Sequence, residues 1–240
     1  MSKVLEFACV VPVYNEAEVL EQAITMLVQR LRQQLNYTHW QVVIASNGSV
    51  DATNEIGQRL EREFAPYVRL IVCQQKGRGW ALREVFGEVV ARRYAYIDVD
   101  LPCDLDDIPH VIAPLDQGVD LVTCHRTGYR PLVRRTMTLS LRLLNLGLFG
   151  VSVSDSQCAV KALSPRAAKV LVEDCRQNGW YLDTELVVLG RRRGLRQAEV
   201  PIHWLEERFA GRASKVDVVG DSLRALRSMG QIWRRSHDLR

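Results

Sequence analysis

The chain has 240 residues, 47% of them hydrophobic and 25% charged, with 15 Gly and 8 Pro. Those proportions fit one soluble globular domain with room for a small appendage, and they exclude collagen-like, low-complexity and disordered chains. The formal net charge is only +4, yet residues 121–154 carry five Arg and no acidic residue, and residues 208–240 carry eight Lys or Arg against three Asp; that asymmetry points to an anionic partner, whether phosphate, nucleic acid or a membrane surface.

Strand and helix signals alternate from the start. Phe7–Val13 (FACVVPV) is an apolar run of buried-strand type, and Ala17–Leu35 places Val19, Leu20, Ala23, Ile24, Leu27 and Leu31 at helical spacing. Trp40–Ala45 reads as a second strand, Asn47-Gly48-Ser49 as a turn, and a helix is expected from Asp51 or Thr53 through Phe64. Val68–Val72 is a third strand, Trp80–Arg92 a third helix, and Tyr94–Val99 a fourth strand ending in acidic residues. Repeated strand–helix–strand units require right-handed crossovers, so the expectation is an α/β fold: a mainly parallel, Rossmann-like sheet with helices on both faces. Ligands on such sheets bind beyond the carboxyl ends of the strands.

After Asp120 the pattern changes. Leu121–Cys124 is a short strand, followed by an Arg-rich loop and an amphipathic stretch from Arg134 to about Phe149. A strand around Gln157–Leu163, a helix from Pro165, a helix over Asp183–Arg193 and a strand near Gln197–Ile202 follow. A basic helix comes last, in which Leu223, Leu226, Met229, Ile232 and Trp233 recur at three- and four-residue steps beside Arg224, Arg227, Arg234 and Arg235. Such a stripe either packs on the sheet or lies on an anionic membrane. The domain reading is therefore 1–216 for the main domain and 217–240 for the basic helix.

The cysteines at 9, 73, 103, 124, 158 and 175 show no CxxC pairing, which points to a reducing, cytoplasmic compartment. Glu6 interrupts the first apolar stretch, so it is not read as a signal peptide, and no window of about 18 uncharged apolar residues predicts a spanning helix. His39, His110, His125, His203 and His237 lack metal-ligand spacing.

Several segments carry possible chemistry. Asp98 and Asp100, in YIDVDLP, read either as a strand-end acidic turn or as two carboxylates converging on a hard divalent cation, since residues i and i+2 of an extended chain face the same way. Pro12-Val13-Tyr14-Asn15-Glu16, Asn47-Gly48-Ser49-Val50-Asp51 and Lys76-Gly77-Arg78-Gly79 end the first three strands and should open on the same edge. Glycine N–H groups beside two cations suit a diphosphate, although the segment is not a P-loop.

VVPVYNE, NGSVDAT, KGRGWALRE, YIDVDL and DSQCAVKAL, in this order, resemble the inverting GT-A glycosyltransferases of family two, especially the polyprenyl- and dolichyl-phosphate sugar synthases. The resemblance runs from about Phe7 to Lys215. It implies a metal-dependent transfer of a hexose from a nucleoside diphosphate sugar, with UDP-glucose as first choice and GDP-mannose as second. Pro12, Tyr14 and Glu16 match the segment that cradles base and ribose, Asn47 matches a base contact, and Lys76 would lie with the diphosphate. Asp98 and Asp100 match the D-x-D pair that holds Mg²⁺ or Mn²⁺. Ser46-Asn47 stands where the family often has two Asp, and Pro102 where some members offer a further polar group beside the metal.

On the acceptor side the resemblance reaches Gln157 within Asp155–Lys161, and Trp180–Leu186 (WYLDTEL), where Asp183 is the implied general base and Glu185 the second choice. Acidic residues in a first helical turn also serve as caps, and that reading stays open. Arg126, Arg134 and Arg135 lie where lipid-phosphate synthases place arginines on the acceptor phosphate, a role suited to bidentate guanidinium contacts. Leu139–Phe149 is apolar enough to be core or to dip into a bilayer interface. Arg208, Arg212, Ser214 and Lys215 resemble a loop that closes over the donor diphosphate, with Arg212 and Lys215 as its donor-binding residues.

The expected protein is thus a single GT-A domain that uses polyprenyl phosphate as acceptor, cytoplasmic and peripheral on the inner face of an anionic membrane. A cytosolic enzyme acting on a sugar or small-molecule hydroxyl is the enzymatic alternative. A nucleic-acid-binding protein is the alternative from another class, and it is disfavoured because the basic segments lack interleaved aromatics.

Overall fold

The computed structural model describes residues 4–128, 132–151, 153–205, 209 and 218–238, and within these the side chains of 132–135, 137 and 218–226 stand outside the description. The elements are β1 (Phe7–Val13), α1 (Leu20–Gln34), β2 (Trp40–Asn47), α2 (Thr53–Glu63), β3 (Val68–Cys73), α3 (Arg78–Glu88) and β4 (Tyr94–Tyr96). They continue with α4 (Ile108–Asp116), β5 (Leu121–Thr127), α5 (Leu132–Phe149), β6 (Lys161–Leu163), α6 (Pro165–Glu173), α7 (Leu182–Arg192), β7 (Gln197–His203) and α8 (Val218–Asp238).

The seven strands form one sheet in the order β3-β2-β1-β4-β6-β5-β7. All pairings are parallel except those of β6, which runs antiparallel to both β4 and β5. The carboxyl ends of the other six strands therefore open on one edge, and β6 brings its first residue, Lys161, to that same edge opposite Tyr96. Every residue of β1 is buried, because a central strand covered on both faces needs no polar alternation.

Successive strand residues divide between two cores. Phe7, Cys9, Val11 and Val13 join α1, α2 and α4 on one face, whereas Ala8 and Val10 join α3, α6 and α7 on the other. Met229 and Ile232 of α8, and Phe149 of α5, belong to this second core. The apolar stripe of the last helix is thus partly committed to protein packing rather than left for a membrane. All six cysteines are buried thiols, and burial pushes Cys9 and Cys73 up to about 12 and Cys158 up to about 11.

Several local expectations change: β5 runs on to Thr127 and takes in Arg126, β6 is confined to Lys161–Leu163 so that Gln157 precedes it, and α3 covers Arg78–Glu88. The fourth strand ends at Tyr96, so Asp98 and Asp100 sit in a turn, closed by the Leu101 N–H donating to the Asp98 carbonyl at 2.9 Å with Leu101 at φ +46. The two carboxylates share a turn, not a strand face. Helix α4 is not signalled by the sequence pattern because Pro109 and Pro114 read as breakers; Pro109 occupies the first turn, where a missing N–H leaves no bond unmade.

Candidate active site at the carboxyl edge of the sheet

The β1–α1 and β2–α2 loops are laced together mostly by neutral groups, with the Asp51 carboxylate as the one charged acceptor named here. Asn15, at φ +51, donates its N–H to Ser49 Oγ at 3.1 Å and accepts the Val50 N–H on Oδ1 at 2.9 Å, a left-handed backbone that Asn tolerates better than most residues. Glu16 N–H donates to Thr53 Oγ1 at 2.9 Å, and Ala17 N–H to Asp51 Oδ2 at 3.2 Å. Asp51 Oδ1 also takes the Thr53 N–H at 3.0 Å. Pro12 is buried at the end of β1, in register with Ala45.

Asn47 was expected at the base of the nucleotide, and the structure puts its amide to another use. Its Nδ2 donates to the Val13 carbonyl at 2.7 Å and its Oδ1 accepts the Gly77 N–H at 3.1 Å. It therefore pins the end of β1 to the β3–α3 loop across the end of β2. Beside it, Lys76 Nζ lies 4.0 Å from the centroid of the Tyr14 ring, a cation–π contact joining two of the expected donor residues.

A buried charge centre adjoins these loops. Arg78, the first residue of α3, donates from Nε to Asp98 Oδ1 at 3.0 Å and from Nη1 to Asp183 Oδ2 at 2.7 Å, and its buried Nη2 has no hydrogen-bond partner among the described residues. Asp183 also pairs with Lys161 Nζ at 3.1 Å and accepts the Tyr96 hydroxyl. Lys161 donates to the Cys158 carbonyl at 2.7 Å. The cluster holds two cations and two anions, so it is balanced in charge.

Burial alone would push the Asp183 carboxyl up, but the Arg78 guanidinium, the Lys161 ammonium and the Tyr96 hydroxyl outweigh it and hold the group below the ordinary carboxylate range. Burial would lower Arg78, and the Asp183 and Asp98 carboxylates more than reverse that. Tyr96 is driven well above its ordinary value by burial and then by Asp183, so its hydroxyl remains a donor. Arg78, Tyr96 and Lys161 were not singled out from sequence as site residues. Each of the three lay inside a quoted motif, Arg78 in KGRGWALRE as one of two cations in the Gly-rich segment, Tyr96 in YIDVDL and Lys161 in DSQCAVKAL, and what the sequence did not show was that they meet.

Asp98 and Asp100 supply two oxygen-donor side chains on one tight turn, and among the described residues no group of three or more His, Cys, Asp or Glu forms a complete metal cage. Two hard ligands suit Mg²⁺ or Mn²⁺, which complete their shells with phosphate oxygens and water. The residues present fit such an ion.

Across β6, Arg126 at the end of β5 donates from Nε to Asp155 Oδ2 at 2.5 Å and lies 4.6 Å from the Trp204 ring centroid. Trp204 N–H donates to the Thr127 carbonyl at 3.1 Å and Leu205 N–H to the Pro102 carbonyl at 3.0 Å. These bonds place this side directly beside the segment that leaves the Asp98–Asp100 turn. Gln157 Nε2 is buried with no hydrogen-bond partner among the described residues. Ser156 Oγ lies 3.0 Å from Asn145 Nδ2 of α5 and 3.1 Å from Thr184 Oγ1 of α7, tying three segments together.

Glu185, the second choice as base, does not join the charge centre. It is fully buried, accepts the N–H groups of Arg176 and Gln177 at 2.8 and 2.7 Å, and pairs with Arg235 of α8. Two residues of helix turn it about 200° away from Asp183. The side chain of Arg135 lies outside the described residues, as do Arg208, Arg212, Ser214 and Lys215.

A mainly parallel seven-stranded sheet whose carboxyl-edge loops carry an Asp-Val-Asp turn is the GT-A architecture, and the protein is a glycosyltransferase. The chain belongs to glycosyl transferase family 2, whose family model matches residues 8–156. It is 30% identical over 225 residues to the glycosyltransferase AglD of Haloferax volcanii, covering 91% of this chain and 35% of AglD. It is 22% identical over 234 residues to the dolichyl-phosphate beta-glucosyltransferase of Saccharomyces cerevisiae, covering 88% of this chain and 70% of that protein. The chain thus spans about a third of one relative and 70% of the other. In fold it is similar to glucosyl-3-phosphoglycerate synthase of Mycobacterium tuberculosis, solved with Mn²⁺, UDP and glucosyl-3-phosphoglycerate, at a TM-score of 0.67 and 20% identity over 98% of this chain and 80% of that one.

Proposed function

We propose that the enzyme transfers a hexose, with inversion, from a nucleoside diphosphate sugar to polyprenyl phosphate. The observation that carries the acceptor choice is the setting of Asp183. A carboxylate enclosed by Arg78, Lys161 and Tyr96 and held below its ordinary range is a poor proton acceptor near neutral pH. A hydroxyl acceptor needs a base, whereas a phosphate arrives as an anion and needs positioning. Asp183 then orients Arg78 and Lys161 and takes no proton.

In this reading Pro12, Tyr14 and Glu16 line the base and ribose side, with Asn47 fastening the loops around it. Lys76 and Arg78 face the diphosphate, Arg78 through its Nη2, which has no partner among the described residues. Asp98 and Asp100 would hold Mg²⁺ or Mn²⁺, which when bound supplies positive charge to the leaving diphosphate. Arg126, Arg135 and Gln157 serve the acceptor phosphate, and Arg212 and Lys215 the donor. UDP-glucose is the favoured donor, ahead of GDP-mannose, in keeping with the glucosyl relative and the UDP-bound fold neighbour. Residues 1–216 are assigned as the catalytic unit and 217–240 as an appendage whose helix α8, Val218–Asp238, braces it.

The lipid finds support in α5. Asn145 and Phe149 are buried and Leu141 packs on the core, while Leu139, Leu143, Leu144, Leu146 and Leu148 are between 43% and 60% exposed. No described helix is long and apolar enough to cross a membrane. The exposed leucines of α5, beside the exposed Arg142, offer a surface for reaching a lipid at the inner, anionic face.

Titrating UDP with Mn²⁺ into the full chain, and assaying transfer to polyprenyl phosphate, tests both halves of this reading. Asp100→Ala should abolish Mn²⁺-dependent UDP binding. Arg126→Ala should leave UDP binding intact and cut transfer by about 30-fold or more, the scale of a lost charged hydrogen bond. Equal activity of Arg126→Ala, or equally fast transfer to a soluble hydroxyl acceptor, would defeat the lipid-phosphate assignment.

A further inference from the structure

The β3–α3 loop that carries Arg78 rests on one short backbone segment, 176–178, between α6 and α7. The contact is as close as backbones allow. A Cβ at Gly79 would lie 2.2 Å from the Gln177 carbonyl oxygen, and one at Gly77, where φ is +143, 2.8 Å from the Asn178 oxygen; both positions need glycine for close approach. Gly79 N–H donates to that Asn178 oxygen at 2.9 Å, and Arg83 Nη1 to the Gln177 carbonyl at 2.8 Å, with Arg83 Nη2 on Asn178 Oδ1.

Segment 176–178 is in turn held from behind by α8. Glu185 gathers the N–H groups of Arg176 and Gln177 on Oε2, and its other oxygen is paired with Arg235. Gln177 Nε2 donates to Gln231 Oε1 at 2.8 Å, one helical turn before Arg235. Met229, Ile232 and Ser236 are buried on the same side of α8, so the pairing is part of a packed face. A buried carboxylate needs its cation close by, and Arg235 alone places a guanidinium on Glu185 among the described ion pairs.

We infer that Arg235 and Glu185 are positioning residues: they latch α8 onto segment 176–178 and thereby set the β3–α3 loop and Arg78 for donor binding. The chain of contacts is continuous, from Arg235 through Glu185, the Gln177 and Asn178 backbone and Gly79 to Arg78. This rests on the reading of Arg78 as part of the donor site. It assigns the last helix a role in donor affinity that does not depend on a membrane.

The test uses the full chain with Arg235→Gln and Arg235→Lys. Hydrogen–deuterium exchange follows segments 76–83 and 174–180 against 7–13 and 40–47, and titration with Mn²⁺ measures UDP affinity. Arg235→Gln should raise exchange about tenfold in both latch segments, leave the reference strands unchanged, and weaken UDP about tenfold, with Arg235→Lys restoring both. Faster exchange confined to α8 and 174–180, with wild-type exchange at 76–83 and wild-type UDP affinity, would overturn the latch. If Arg235→Gln does not fold, Gln231→Ala gives the same comparison, and unchanged exchange at 76–83 would again overturn it. Should exchange respond at 76–83 in a protein whose wild type does not bind UDP, the latch stands and the donor reading falls.

Discussion

The loops after β1 and β2 and the centre between β4 and α7 lie on one sheet edge, but different forces fasten them. On the first side the bonds come mostly from amides and hydroxyls: Asn15 to Ser49 and Val50, Glu16 to Thr53, Asn47 to Val13 and Gly77. Each is worth about 1 kcal/mol net, and their effect is to fix a shape. On the second side Arg78, Lys161, Asp98 and Asp183 compensate one another in a nearly dry setting, where an unpaired charge is costly. On the proposed reading, the mostly neutral frame suits a planar base, and the balanced charge cluster suits a site that accepts a diphosphate and holds together without it.

Breaking the second side should therefore cost more than breaking the first. Asp183→Asn leaves Arg78 and Lys161 without their shared carboxylate, and denaturant unfolding at pH 7 should show a loss of about 3–5 kcal/mol. The sign of the pH dependence follows from the depressed Asp183 value. Its contribution is present above the ordinary Asp range and is lost as pH falls through the folded-state value, so the gap between wild type and variant should narrow on acidification below about pH 4. Glu185 works the other way. Burial raises it, despite the Gln177 and Arg176 N–H groups and Arg235, so its share is present at low pH and lost as pH rises through that value.

Asn47→Ala sharpens the other half of the comparison. It strands the Val13 carbonyl and the Gly77 N–H, and unfolding should show a smaller loss, about 1–3 kcal/mol, with UDP affinity falling because the frame loosens. A loss as large as that of Asp183→Asn would mean that neutral and charged halves do not differ as described.

The same division governs what was legible in the sequence. The neutral loops and the Asp-Val-Asp turn lie in contiguous runs at strand ends, so PVYNE, NGSVD and YIDVD could be placed on one edge from strand order alone. The partners inside the charge centre could not, because Arg78 and Asp183 are 105 residues apart and Lys161 reaches the edge only because β6 runs antiparallel. No local pattern encodes that reversal. Asp183 and Glu185 look equivalent in WYLDTEL, and only the packing of α7 sends one to the sheet edge and the other to α8. Of the stripe read on the last helix, Met229 and Ile232 are buried in the core beside α7 while Trp233 is exposed, and the side chains of Leu223 and Leu226 lie outside the described residues, so periodicity located part of the face and not its partner.

If the acceptor is polyprenyl phosphate, as proposed, it is already an anion and no enzyme carboxylate need remove a proton. The direct test is the pH dependence of kcat/KM for wild-type transfer to polyprenyl phosphate and to its phosphonate analogue, whose second ionisation lies higher. One rise is expected for each acceptor, near pH about 6 for the phosphate and displaced upward for the phosphonate by the difference between their ionisations. A rise at the same pH for both acceptors would place the titrating group on the enzyme and contradict the account.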